Sequence, residues 1–188
     1  DNVSLILGDN FFYGQNLSSL LIKNRKLKKG AKIILHKVKN PEQYGVAKLG
    51  AKNIIKGIKE KPKKFYSDYA ITGLYYFDNK VVNYSKSLKP SKRNELEITD
   101  LIKKYLTKKQ LKAEMIGRGG AWLDTGSIED FYKTSNFVSS IENRQGFKIA
   151  CLEEIAFNNK WIKKDKILSA IKFYGNCEYS KYLKNLIL

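Results

Sequence analysis

An α/β fold is predicted by three features: two apolar, strand-like runs with a helical pattern between them, one long aromatic and β-branched segment, and helical periodicity through the last forty-odd residues. Residues 4–7 and 32–38 are short apolar runs suited to central sheet positions. Between them, residues 17–27 place Leu17, Leu20, Leu21 and Asn24 at helical spacing. Strand, helix, strand in that order predicts a crossover unit with parallel strands.

The elements that follow change in kind. Residues 44–62 hold two β-prone segments separated by Gly50-Ala51-Lys52-Asn53, a hairpin pattern, with Pro62 bounding the second. The stretch "YAITGLYYFD", 69–78, is the clearest strand in the chain. Asp78 is placed to cap a helix running through Leu88, ahead of Pro90. Ile98, Leu101, Ile102, Tyr105 and Leu106 form a helical stripe, a strand is expected near 111–116, and "GAWLDTG", 120–126, reads as a loop. Ser127 opens a helix with Asp130 in capping-box position, and two further helices, "DKILSAIKF" and "YSKYLKNLI", are expected in the tail. The predicted organisation is a core over 1–150 with a helical region, 151–188, packed on it.

The net charge of +18 suits phosphates, nucleic acid or an anionic membrane and does not choose among them. Lysine pairs such as Lys28-Lys29, Lys63-Lys64 and Lys163-Lys164 lie between apolar anchors and read as a solvated face. No helix-turn-helix, zinc-finger or aromatic RNA-binding motif accompanies the charge, so no nucleic-acid partner is expected. No apolar run is long enough to span a bilayer, and no membrane partner is expected. Cys151 and Cys177 make neither a disulfide framework nor a zinc motif, which fits reduced thiols in a cytoplasmic protein. The chain starts at Asp1 rather than Met, as expected of a processed chain or of the later part of something longer.

Several residues carry possible chemistry. Asp9 follows an apolar strand, the position at which open α/β sheets collect ligands. Asp124, between Trp122 and Thr125-Gly126, is the best second carboxylate for Mg²⁺, which binds one or two carboxylates together with substrate phosphates. Each acid alone reads equally as a turn former or cap. Glu60 suits sugar hydroxyls and Lys61 a phosphate, or the two form a surface ion-pairing patch. Arg93 suits a phosphate with its rigid fork, or balances Glu95 and Glu97. Gly73 inside an apolar strand marks a bulge or a close approach, and His36 reads as a strand-surface histidine.

Taken in order, "LGDNFFYG", "YGVAKL", "EKP", "YAITGLYYFD", "NELEITD", "GRGGAWLDTG" and "ENRQGFKIACLEEIAF" closely resemble the bacterial glucose-1-phosphate thymidylyltransferases that start dTDP-rhamnose synthesis. The resemblance implies a Mg²⁺-dependent transfer from dTTP to glucose 1-phosphate, giving dTDP-glucose and pyrophosphate. It implies that Asp9 and Asp124 hold the metal, that Tyr44, Gly45, Glu60, Lys61 and the backbone at Ile71 meet the sugar phosphate, and that Arg93 contacts phosphate. It also implies a homotetramer with a second nucleotide-sugar site, for which Tyr13, Gly14, Arg118, Glu154 and Ile155 match, while Gln15 and Asn158 stand where histidine and arginine are expected.

Neither the family's glycine-rich GGxGTRL-type segment nor its Pro-rich lysine segment occurs in the sequence. The expectation is therefore a C-terminal portion without its N-terminal nucleotide-binding segment, folded as an incomplete Rossmann-like mixed sheet with flanking helices and a helical tail. Such a chain would have little activity alone, or would be completed by a partner carrying the front half. A related UTP- or other NTP-dependent sugar nucleotidyltransferase and an inactive structural or regulatory remnant are the alternatives.

Overall fold

In chain order the strands are β1 (Val3–Ile6), β2 (Asn10–Gly14), β3 (Ala31–Lys37), β4 (Val46–Leu49), β5 (Ile55–Lys59), β6 (Tyr69–Phe77), β7 (Leu111–Met115) and β8 (Gly120–Asp124). The helices are α1 (Leu17–Asn24), α2 (Val81–Lys86), α3 (Ile98–Thr107), α4 (Ile128–Gln145), α5 (Leu152–Asn158), α6 (Lys164–Tyr174) and α7 (Glu178–Asn185). The structure is a computed structural model that describes residues 1–91 and 94–188. It divides into two units, Asp1–Ser127 and Ile128–Leu188.

The first unit is built around β6, whose aromatic and β-branched residues are buried from Ala70 to Phe77. One edge of β6 pairs antiparallel with β3, and β3 pairs parallel with β7. The other edge takes two partners in turn: β4 at Ala70, then β1 along residues 74–77. The hairpin β4–β5 completes the sheet, turning through residues 50–54 with the Gly50 N–H on the Ile54 carbonyl at 2.8 Å. The strands at 4–7 and 32–38 are thus parallel to one another as expected. They are not neighbours, because β6 lies between them and pairs with both.

Alternation along β3 explains why its apolar run is unbroken. Ile33 and Leu35 enter a core shared with Ile71, Tyr75, Phe77 and the α3 residues Leu101, Ile102 and Tyr105. Ile34 faces the opposite cluster, with Leu74, Tyr76, Phe12 and Leu20 of α1. A strand covered on both faces gains about 1.5–3 kcal/mol from each fully buried Ile or Leu, so polar alternation would forfeit half of that. The N-cap of α2 is Lys80, without a side-chain cap bond, and not the expected Asp78; Asp78 instead braces the neighbouring chain. Its carboxylate accepts from the Gly30 N–H at 2.7 Å, the Lys80 N–H at 3.2 Å and the Tyr105 hydroxyl at 2.9 Å. α2 itself ends at Lys86, short of the expected Leu88.

One further expectation changes. "GAWLDTG" is not a loop: residues 120–124 form β8, which pairs antiparallel with β2 in a separate two-stranded ribbon. Its glycines hid a strand whose partner lies more than a hundred residues earlier. Gly14 and Gly120 face each other at the far end, where a Cβ on Gly14 would come within 2.9 Å of the Gly120 Cα.

The second unit is helical. Cys151, Ile167 and Leu183 are buried together, with Phe157, Ile171 and Tyr179 packed around them. Glu153 accepts from Tyr179 at 2.6 Å and Tyr174 at 3.0 Å, tying α5 to α7 and to the end of α6. The Cys177 sulfur caps α7 by accepting from the Ser180 N–H. Among the described residues, no helix is long and apolar enough to cross a membrane.

Candidate functional site

The ribbon register brings the two candidate acids together. Asn10 pairs with Asp124, so Asp9 comes off one strand where Asp124 ends the other. Thr125 fixes this junction, its N–H and its hydroxyl both donating to the Asp9 carbonyl, at 2.7 and 2.9 Å. The side chains converge on Gly126: a Cβ there would lie 2.8 Å from Asp124 Oδ1 and 3.7 Å from Asp9 Oδ2. The Gly126 N–H also donates to Asp124 Oδ1 at 2.7 Å.

Asn10 orients the first acid. Its Nδ2 donates to Asp9 Oδ1 at 2.7 Å, and its Oδ1 accepts from the Gly73 N–H at 3.0 Å and from Trp122 Nε1 at 2.6 Å. Gly73 makes room for this amide, since a Cβ there would lie 2.6 Å from Asn10 Cγ. The glycine inside the strand therefore marks a close approach, and what approaches is the side chain that steadies Asp9.

A second group of residues gathers where β4, β5 and β6 meet. The Lys61 N–H donates to the Tyr44 carbonyl at 3.1 Å and the Ile71 N–H to the Gly45 carbonyl at 2.8 Å. A Cβ on Gly45 would lie 3.0 Å from Glu60 Oε2, so the missing side chain leaves the Glu60 carboxylate its place. Lys61 has φ +36°, a left-handed conformation that costs a lysine about 1–3 kcal/mol and persists only where surrounding contacts impose it.

Two aromatic residues connect the groups. The Tyr44 and Trp122 rings meet edge-to-face with centroids 5.0 Å apart, so the tryptophan bonded to Asn10 also walls the Tyr44 side. Tyr75 is pushed to higher pKa by burial, then by the negative charges of Glu60 and Asp9, which places both acids around one phenol. His36 lies 6.3 Å from Trp122, ring to ring, and burial lowers its pKa, keeping it neutral.

The structure thus brings Asp9 and Asp124 together, and separately Tyr44, Gly45, Glu60, Lys61 and Ile71. Arg93 lies outside the described residues. Tyr13 and Gly14 line a cavity of about 410 Å³ with Phe12, Leu20, Met115 and Ile116. Arg118 follows β7 in the same unit, while Glu154 and Ile155 lie on α5 of the second unit. There Glu154 accepts from Tyr182 at 2.6 Å. Asn10, Tyr75 and Trp122 lie within the quoted motifs, but no role was expected of their side chains. For Asn10 the signal is Gly73, whose two readings were a bulge and a close approach, and the structure shows the second.

The acid pair fits a hard divalent cation. Two carboxylates converging on Gly126 would suit Mg²⁺, a cation commonly held by one or two carboxylates. Among the described residues there is no cluster of three or more His, Cys, Asp or Glu, so a closed protein cage of the structural-zinc kind is not formed there.

Residues 1–141 match the family model described as nucleotidyl transferase. The chain is 43% identical over 187 residues to the glucose-1-phosphate thymidylyltransferase of Neisseria meningitidis serogroup A, covering 100% of this chain and 65% of that protein. The same-named protein of Mycobacterium tuberculosis is 38% identical, with the same coverage of both. A Bacillus anthracis crystal structure named for this activity, in complex with sucrose, superposes with a TM-score of 0.64 at 39% identity, over 73% of this chain and 54% of that one. UDP-glucose pyrophosphorylase with UDP-glucose gives the same TM-score at 23% identity, over 74% and 56%, a likeness of fold.

The chain spans about two thirds of the length of the curated relatives it matches, 65% for those from Neisseria and Mycobacterium. The family match also corrects one expectation. A C-terminal portion lacking its nucleotide-binding segment was expected because the GGxGTRL pattern does not occur. The nucleotidyl transferase region is present, over residues 1–141. With residues 1–141 of its 188 matched by the family model, this chain belongs to the nucleotidyl transferase family.

Proposed function

We propose that the protein transfers the thymidylyl group of dTTP to glucose 1-phosphate, giving dTDP-glucose and pyrophosphate, with Mg²⁺ held by Asp9 and Asp124. The observation that carries this reading is the convergence of those two carboxylates on Gly126, with Tyr75 in the field of both Asp9 and Glu60. Relatives named glucose-1-phosphate thymidylyltransferase, 38–44% identical, support thymidine over the UTP-dependent alternative.

The chemistry asks for alignment and charge neutralisation. A phosphate oxygen of glucose 1-phosphate bonds to the α-phosphorus of dTTP as the bond from that phosphorus to the α–β bridging oxygen breaks, and pyrophosphate leaves with the electron pair. The nucleophile is already anionic, so no general base is assigned. Mg²⁺ at this site supplies Lewis-acid neutralisation of the phosphate oxygens. Glu60 accepts from sugar hydroxyls beside Gly45, and Tyr44 walls the sugar against Trp122. Lys61 and Arg93 offset the repulsion between two anionic substrates. We assign Tyr13, Gly14 and Arg118 to a second, regulatory nucleotide-sugar site in a homotetramer. The cavity beside Tyr13 and Gly14 supports that assignment. The two unpaired thiols fit a cytoplasmic setting.

Calorimetric titration of glucose 1-phosphate into the chain with Mg²⁺ tests the reading, alongside pyrophosphate release with dTTP, UTP, CTP and ATP. Binding that Glu60→Gln and Lys61→Ala each weaken by about tenfold or more is expected from loss of one charged contact. Sugar-phosphate binding indifferent to both substitutions, or release that favours another nucleotide over dTTP, would refute it.

A further inference from the structure

We propose that Tyr66 is a positioning residue: it clasps the segment 62–68 onto the β4–β5 hairpin and so holds Lys61 in its left-handed conformation, ready for the sugar phosphate. The phosphate contact rests on the reading of Lys61 given above; the clasp does not.

The chain leaves the sheet at Lys59 and re-enters it at Tyr69. Its near end is fixed by the Lys61 N–H on the Tyr44 carbonyl and by the buried Pro62. Its far end is fixed by Ser67, whose hydroxyl donates to the Ala47 carbonyl at 2.7 Å and accepts from the Tyr69 N–H at 3.2 Å, and by the Lys37–Asp68 ion pair at 3.0 Å. Residues 63–65 between these anchors are exposed, Phe65 by 80%. Such a span transmits no constraint to Lys61 unless something joins it to the hairpin.

Tyr66 makes that join. Its hydroxyl end rests against β5 at Gly57, where any Cβ would collide with the tyrosine oxygen. Lys59 Nζ stands 4.5 Å from the ring centroid and Lys48 Nζ 5.8 Å, both within cation–π reach. Lys59 is two residues ahead of Lys61, so the ring fastens the return of the segment to the strand that feeds it. A lysine backbone at φ +36° relaxes to negative φ once it is free to. Tethering both sides of a short turn withholds that freedom, as surrounding structure does wherever a strained residue persists.

Amide hydrogen exchange resolved at Lys61 tests the clasp directly. In Tyr66→Ala, exchange at Lys61 is expected to rise about tenfold while Ile71 on β6 keeps its protection, a local opening rather than a global one. Tyr66→Phe keeps the ring beside Lys59 and Lys48 and loses only the hydroxyl at Gly57, and the rise stays within about threefold. Glucose 1-phosphate binding weakens with Tyr66→Ala, and the same change adds nothing in a Lys61→Ala background. Unaltered exchange at Lys61 in Tyr66→Ala would overturn the proposal. Raised exchange with unaltered sugar-phosphate binding would keep the clasp and discard Lys61 as a phosphate ligand. If Tyr66→Ala does not fold, Lys59→Met removes the nearer cation alone; it too raises Lys61 exchange, and no rise there overturns the proposal.

Discussion

The β2–β8 ribbon and the β4–β5 hairpin present opposite charges, and they hold them by opposite means. In the ribbon, each carboxylate receives a hydrogen bond on its own side chain: Asp9 from Asn10 and Asp124 from the Gly126 N–H. In the hairpin, Lys61 is fixed through its backbone, by the Tyr44 carbonyl and a left-handed φ. The difference follows from the groups. A carboxylate offers several acceptor sites, so one can be spent on orientation while others remain for a metal. An ammonium on a four-carbon stem is a mobile point charge, and placing its root is what the fold can control.

The largest test of this contrast removes charge from the ribbon. Asp124→Asn or Asp9→Asn should abolish divalent-ion binding and lower any Mg²⁺-dependent transfer by on the order of a hundredfold or more, because loss of the ion removes the main charge stabilisation. The equivalent neutral change at Lys61 should leave ion binding intact, which Mn²⁺ titration of the three variants decides.

Gly126→Ala keeps both acids and intrudes a methyl 2.8 Å from Asp124 Oδ1. Ion affinity should fall by about tenfold or more, the scale of a disturbed ligand shell, with sugar-phosphate binding in the absence of metal unchanged. Equal losses in both would mean that the two regions are one rigid device.

Asn10→Ala removes the support of Asp9 and leaves Trp122 Nε1 and the Gly73 N–H without their acceptor. A loss of about 1–3 kcal/mol in denaturant unfolding is expected from such unpaired donors, together with weaker ion binding. Gly73→Ala should do the same from the other side, by forcing the amide away at a cost of about 1–3 kcal/mol.

The smallest effect belongs to Trp122→Phe, which keeps an aromatic ring beside Tyr44 and deletes the bond to Asn10. About 0.5–1.5 kcal/mol of stability should be lost, with ion affinity shifted only a few-fold. A larger change in sugar-phosphate affinity than in ion affinity would show that Trp122 couples ribbon to hairpin.

What the sequence made legible has a physical pattern. β6 declared itself because burial on both faces demands an unbroken aromatic and β-branched run, and the hairpin because Gly50 to Asn53 is turn chemistry between β-prone segments. β8 did not, because two of its determinants are glycines that permit a close strand crossing and read locally as loop. The acids at 9 and 124 were visible as strand-end and loop carboxylates, but their meeting depends on a strand pairing across more than a hundred residues. Asn10 and Trp122 were silent for the same reason: each acts through a partner that is distant in sequence. The missing GGxGTRL pattern misled, since the absence of one motif was read as the absence of a region that the family match covers from residue 1 to 141.

The central claim is that Asp9 and Asp124 form one divalent-ion site. Mn²⁺ binding followed by electron paramagnetic resonance, in the chain with Asp9→Asn, with Asp124→Asn and with both, tests it most directly. One site should be lost with either single change, and the double change should lose nothing further. Retention of that site in either single variant, or additive losses of two separate sites, would contradict the account.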